Sequence, residues 1–218
     1  MKPRIHNLRG LTLIEVLFVL AVIAMLGAVL LPHSRSHQRS ARLGCTSNLR
    51  QVALAARLYA NDSNDGFPWR VSTNISLFAI TGSLEHTNSP DVFRHYAAMS
   101  NELISPKVLA CMNDTNRSKA QDFSSLSNSN VSYFVGLDAD ESKPERLLAG
   151  DRNITGGGLS NGFLRLLKPN DPAGWTKEIH VKAGNIGLSD GSVLQTDPRI
   201  LRNHLAKQTL PVIRLAIP

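Results

Sequence analysis

Residues 11–31 form a long apolar run in which the one charged side chain is Glu15. Its 21 residues extend about 31 Å as a helix at 1.5 Å per residue, enough to cross a hydrocarbon core of about 30 Å. A carboxylate inside such a run costs several kcal/mol at membrane depth and is retained where it has a function. The preceding residues 1–10 carry Lys2, Arg4 and Arg9 and no acid, which keeps them on the cytoplasmic side by the positive-inside rule. A secretory signal places its cleavage site after the apolar core. Here a small residue, Gly10, stands before it.

The hexapeptide Gly10-Leu11-Thr12-Leu13-Ile14-Glu15 resembles the prepilin-type cleavage and methylation motif, with Leu11 where that motif usually has phenylalanine. The resemblance implies cleavage after Gly10 by a prepilin peptidase, N-methylation of Leu11, and retention of the apolar segment. It implies that Glu15 pairs with the amino terminus of a neighbouring subunit in a filament. Pro32 follows the run where pilin-type helices often kink.

Helical periodicity resumes beyond the cationic residues 33–40. Cys45, Leu49, Val52, Ala56 and Tyr59 recur at spacings of four and three, drawing one apolar stripe, and Arg50 and Arg57 fall on other faces. The turn-rich residues 61–68 end that helix. Four segments follow: leader 1–10, membrane and assembly helix 11–32, amphipathic continuation 33–61, and a globular head 62–218. The expected fold class is α+β, with one long amino-terminal helix packed on a small head that carries an antiparallel β-sheet.

The segment 45–59, C-T-S-N-L-R-Q-V-A-L-A-A-R-L-Y, with Asp65-Gly66-Phe67-Pro68, adds a second resemblance. It looks like a block of a large bacterial pseudopilin-like family related to type II secretion. His180, followed after nine residues by Asp190 and Gly191, resembles that family's H-x9-D-G signature, and residues 108–114 resemble its L-x-C-P-x-D segment, with Met112 in place of proline. The implied protein is a non-enzymatic pseudopilin of the bacterial inner membrane, single-pass, with its leader cytoplasmic and its head periplasmic. Its implied partners are the prepilin peptidase, other pseudopilins in homo- or heteropolymers, and an inner-membrane secretion platform. The alternatives are a minor pilin of a type IV pilus or DNA-uptake system, and a pilin-anchored surface protein that binds a ligand.

In the head, 92–104 reads as one short helix, 115–130 as a polar loop, and 131–137 and 146–149 as strands. Residues 178–182, 186–189 and 192–196 read as a meander, with Asp190-Gly191 as a hairpin turn. Gly156, Gly157 and Gly158 belong to a loop and make no phosphate-binding fingerprint. Cys45 and Cys111 permit one disulfide in an oxidising compartment, two buried thiols being the other reading. Without suitably spaced partners they make no zinc motif. The G-x-S-x-G at 187–191 is no nucleophile elbow, because a strand-like stretch follows it and one histidine, His204, remains downstream.

No cofactor is required on this reading. Calcium is the candidate cation, with Asp151, Asp190 and Asp197 as its oxygen ligands. His180 and Asp190 read as a structural hydrogen bond across the meander. Removing Lys2, Arg4 and Arg9 lowers the net charge from +7 to +4. The remaining cations are scattered among few aromatic residues, so nucleic acid is not an expected partner.

Overall fold

A computed structural model describes residues 12–30, 33–73 and 81–218, with side chains 28–40 left out. The leader, the Gly10–Leu11 cleavage pair and Pro32 lie outside the described residues. The chain forms two compact units, 1–40 and 41–218.

In the first unit, α1 covers Leu13–Leu30. It is apolar on every side, and its large side chains stand exposed, Phe18 at 72% and Met25 at 74%. A helix apolar all round needs an apolar medium or other helices against it. Among the described residues, no helix is long and apolar enough to cross a membrane. The 18 residues of α1 extend about 27 Å, short of the roughly 30 Å core. The 21-residue span and the continuous helix through residues 31 and 32 extend beyond the described residues.

Helix α2, His33–Asp62, carries the predicted stripe into the second unit. Cys45, Leu49, Val52, Ala56 and Tyr59 are all buried there, joined by Ala53 and Ala60. Small side chains at three positions let the helix approach the sheet closely.

The main sheet has seven strands: β1 (Tyr133–Gly136), β2 (Leu147–Asp151), β4 (Gly158–Ser160), β5 (Leu164–Leu167), β7 (Gly184–Leu188), β8 (Val193–Thr196) and β9 (Ile213–Ala216). Their order is β4-β5-β9-β1-β2-β7-β8, and every pairing is antiparallel. A two-stranded ribbon joins β3 (Ile154–Thr155) to β6 (Gly174–Trp175). Strand β9 inserts between β5 and β1.

Both faces of the sheet are covered. Tyr133, Val135 and Leu148 pack into the core beneath α2, while Phe134, Leu147, Ile186 and Leu215 face a second core. That second core is roofed by α5, Pro198–Ala206, through Leu201 and Leu205. The central strands therefore bury both faces, and all four residues of β1 are buried.

Three expectations need correction. Residues 92–104 are not one helix: α3 (Phe93–Ala97) and α4 (Ser100–Leu103) are separate. Tyr96 is pinned by its hydroxyl, which donates to the carbonyls of Tyr133 and Phe134 at 3.1 and 3.0 Å. At Met99 (ψ 34°) the backbone leaves the helical region. Residues 178–182 are turn and bend rather than strand, because Val181 and Lys182 adopt positive φ of 50° and 61°. The triple-glycine loop begins a strand, since Gly158 opens β4.

Cys45 and Cys111 form a disulfide that ties α2 to the segment before β1, with Cα atoms 5.1 Å apart and 66 residues of sequence separation. Closing a loop of that length in the unfolded chain accounts for on the order of 4 kcal/mol by the chain-entropy relation. Replacing both cysteines with alanine should lower the melting midpoint of the head by about 10 °C, read by calorimetry. An unchanged midpoint would remove the cross-link from the account of stability.

Candidate functional site

Thr12 and Glu15 build the start of α1. The Thr12 backbone N–H and hydroxyl each donate to Glu15 Oε2 at 2.8 Å, and the Glu15 N–H donates to Thr12 Oγ1 at 3.4 Å. This reciprocal capping box satisfies donors that a helix start leaves open. The spacing Thr-x-x-Glu carried that signal, and sequence reasoning passed over it in favour of an intersubunit role. Glu15 therefore has a local use within its own chain. The processing pair Gly10 and Leu11 is not described.

The second constellation surrounds His180, where α2, the 111–114 turn, β2 and β7 meet. His180 Nε2 lies 3.6 Å from Cys111 Sγ, 3.2 Å from Asn185 Nδ2 and 3.5 Å from Asp151 Oδ2. Its Nδ1 lies 3.2 Å from the Asn113 amide. Asp151 is fully buried and accepts from the Asn185 backbone N–H at 2.7 Å and from its side chain at 3.0 Å. The other oxygen of that carboxylate, Oδ1, has no hydrogen-bond partner among the described residues.

The family-like block on α2 supplies the frame. Cys45 enters the disulfide, and Thr46 donates to Asn185 Oδ1 at 3.3 Å. Asn48 donates to the Ala110 carbonyl at 3.4 Å, and Tyr133 returns a hydrogen bond to the Cys45 carbonyl at 3.3 Å. Arg57 donates to the Asp190 carbonyl at 2.9 Å.

His180 does not bond Asp190, which corrects the expected pair across the meander. Asp190 Oδ1 instead accepts from the Ser192 N–H at 2.8 Å, and Gly191 turns the chain at φ +86°. The Asp-Gly turn between β7 and β8 is thus as read from sequence. A Cβ on Gly191 would also stand 3.2 Å from Arg57 Cδ.

The three aspartates considered for calcium have separate employment. Asp197 caps α5, its Oδ1 accepting from the Ile200 N–H at 2.7 Å; Asp190 braces its turn; Asp151 faces the His180 junction. Among the described residues, the one group of three close metal-ligating side chains is Cys45, Cys111 and His180. Sequence spacing does not show that grouping, because its members are 66 and 69 residues apart. Asp114, from the 108–114 block, pairs with Arg152 at 2.7 and 2.8 Å. Burial alone would raise its pKa, but the guanidinium holds the carboxyl below its usual range.

Burial pushes the Asp151 carboxyl up to about 7, against the Asn185 bonds and the Arg42 charge. Burial pushes His180 down to about 4, aided by Arg42. Between about pH 4 and 7 the folded protein holds an Asp151 proton that the unfolded chain has released, so this group lowers stability as pH rises. Between about pH 4 and 6.5 the unfolded chain holds a His180 proton that the folded protein lacks, so this group raises stability as pH rises. Each slope approaches about 1.4 kcal/mol per pH unit, and the two oppose. In the disulfide form with chelator present, Asp151→Asn should gain stability relative to wild type from pH 4 to 6.5, and His180→Gln should lose it. Urea denaturation curves that stay parallel across this range would contradict both shifts.

No protein-family model and no solved structure matches the chain. The competence protein ComGC of Halalkalibacterium halodurans is 28% identical to it over 92 residues, a stretch that covers 42% of this chain and 85% of that relative.

Proposed function

We propose that this chain is a pilin-type filament subunit, processed after Gly10 and assembled through its apolar amino-terminal helix. The observation that carries the reading is the motif at 10–15 running directly into α1, a helix apolar on every side. Neighbouring helices and lipid supply the apolar surroundings α1 requires. The similarity to a competence protein supports the same reading and favours a filament that serves DNA uptake. The finer alternative, a pseudopilin that drives protein export through a type II-like platform, rests on the resemblance of 45–68 and of His180, Asp190 and Gly191 to pseudopilin-like proteins.

On this reading the leader is cytoplasmic, residues 11–31 are held in the inner membrane before assembly, and the head lies outside it. The partners are the prepilin peptidase, further subunits of the same type and a membrane platform. The role is mechanical and needs no catalytic group. Calcium at Asp151, Asp190 or Asp197 has no clustered donors to support it among the described residues.

Glu15 has two jobs to separate. In Glu15→Gln the amide keeps the capping-box geometry but removes the charge, whereas Glu15→Ala removes both. Charge pairing with a neighbour's amino terminus predicts that both variants are cleaved yet enter filaments at least tenfold less well. Capping alone predicts that only the alanine variant is impaired. Mass spectrometry of native membranes should find a methylated Leu11 terminus, and an intact Met1 beside an active peptidase would overturn the reading. Deletion of the gene should abolish DNA uptake; loss of exoprotein secretion with uptake intact would assign the filament to export instead.

A further inference from the structure

Neither cysteine has a second ligand at short spacing, yet the fold brings three donors to one point. The ligand atoms of Cys45, Cys111 and His180 all lie within 4.8 Å of one another, and all three residues are buried. Asp151 Oδ2 stands 3.5 Å from His180 Nε2 but lies outside that group of three.

The hydrogen-bond network orients the histidine. Thr46 donates to Asn185 Oδ1 and Asp151 accepts from Asn185 Nδ2, so the Asn185 amide nitrogen is the group facing His180 Nε2. A neutral imidazole carries one N–H. Nε2, which accepts from Asn185 and lies 3.6 Å from Cys111 Sγ, therefore keeps its lone pair, and Nδ1 carries the proton. Asn113 Nδ2 lies 3.2 Å from Nδ1, and turning that amide over would bring its oxygen to accept the Nδ1–H. A ring with its lone pair inward and its N–H held from outside is the arrangement of a metal-ligating histidine.

We propose that Cys45, Cys111 and His180 bind one zinc-class divalent cation when the disulfide is reduced, with a solvent molecule in the fourth position. Two thiolates and one imidazole, with solvent completing the tetrahedron, form a donor set suited to such a cation. Reduction needs a two-electron donor of the thiol class. Two external thiols become a disulfide, the Cys45–Cys111 bond breaks, and each cysteine sulfur takes up one proton. The cation then displaces both protons to solvent. Thiolates around a tetrahedral zinc stand about 3.8 Å apart, a separation that side-chain rotation provides.

The disulfide and the metal are mutually exclusive locks on one seam. An oxidising compartment favours the first and a reducing one the second. Either state ties α2 to residue 111, so the chain keeps the same head-to-helix connection on both sides of an oxidation step.

The test uses the full chain in detergent, reduced with excess thiol and desalted anaerobically, then titrated with Co2+ and competed with Zn2+. One equivalent of Co2+ should produce thiolate-to-cobalt charge-transfer absorption and tetrahedral ligand-field bands, which Zn2+ abolishes. The disulfide form should give neither. His180→Ala and His180→Gln should each weaken Zn2+ binding at least tenfold, with melting of their disulfide forms reporting whether the fold persists. Asn113→Ala, outside the donor set, should weaken binding roughly tenfold and serves where the other variants fail to fold. Absence of charge-transfer absorption in the reduced wild type would overturn the proposal. So would Zn2+ affinity that is unchanged in folded His180→Ala and Asn113→Ala.

Discussion

The head depends on the seam along one face of α2 between Cys45 and Ala60. Leu49, Val52, Ala53, Ala56 and Tyr59 on that face are all buried against the sheet. Polar anchors flank this apolar contact: Thr46 holds Asn185 on β7, Asn48 holds the Ala110 carbonyl, and Arg57 holds the β7–β8 turn. The Cys45–Cys111 bond makes the same connection covalent. Apolar burial supplies the driving force without direction, and the directional bonds fix the register in which the helix meets the strands. A one-residue rotation of α2 would separate every anchor from its partner while leaving much apolar area covered. The polar positions therefore specify the fold more than they stabilise it.

The sequence made α2 readable because its two signals coincide: a stripe at helical spacing and a turn-rich exit at 61–68. The β7–β8 hairpin was equally readable from Asp190-Gly191, where only the turn needs a positive φ. Helix α5 and strand β9 were missed for a physical reason. Sequence reading assigned no element beyond residue 196, whereas α5 builds a second core on the sheet face opposite α2, and β9 takes a central place in the sheet order. One local signal was present. Asp197-Pro198 is an N-cap followed by proline at the first helical position, with Leu201 and Leu205 one turn apart. Reading Asp197 as a metal ligand hid it.

The His180 junction was legible only in part. Its importance came from family resemblance, but its neighbours did not, because Asn113, Asp151 and Asn185 arrive from three different segments. Pairing His180 with Asp190 gave weight to nearness in a motif. Lys182 and Val181 instead adopt left-handed backbone just after His180, so the chain folds the histidine inward before β7 begins. Asp190, beyond that strand, serves its own turn.

Glu15 and Asp151 show why some polar groups can be read from sequence and others cannot. The Glu15 carboxylate is satisfied by Thr12, three residues away, so its partner is written into the local pattern. Asp151 draws its partners from β7 and has one oxygen without any among the described residues, so its chemistry exists only once the sheet has formed. A locally satisfied group survives transfer of its helix into new surroundings, which suits the filament role proposed for α1. A group satisfied through tertiary contacts is tied to one folded state, and it changes character when those contacts change. The second unit, with its two cores and its own cross-link, is where such state-dependent chemistry resides.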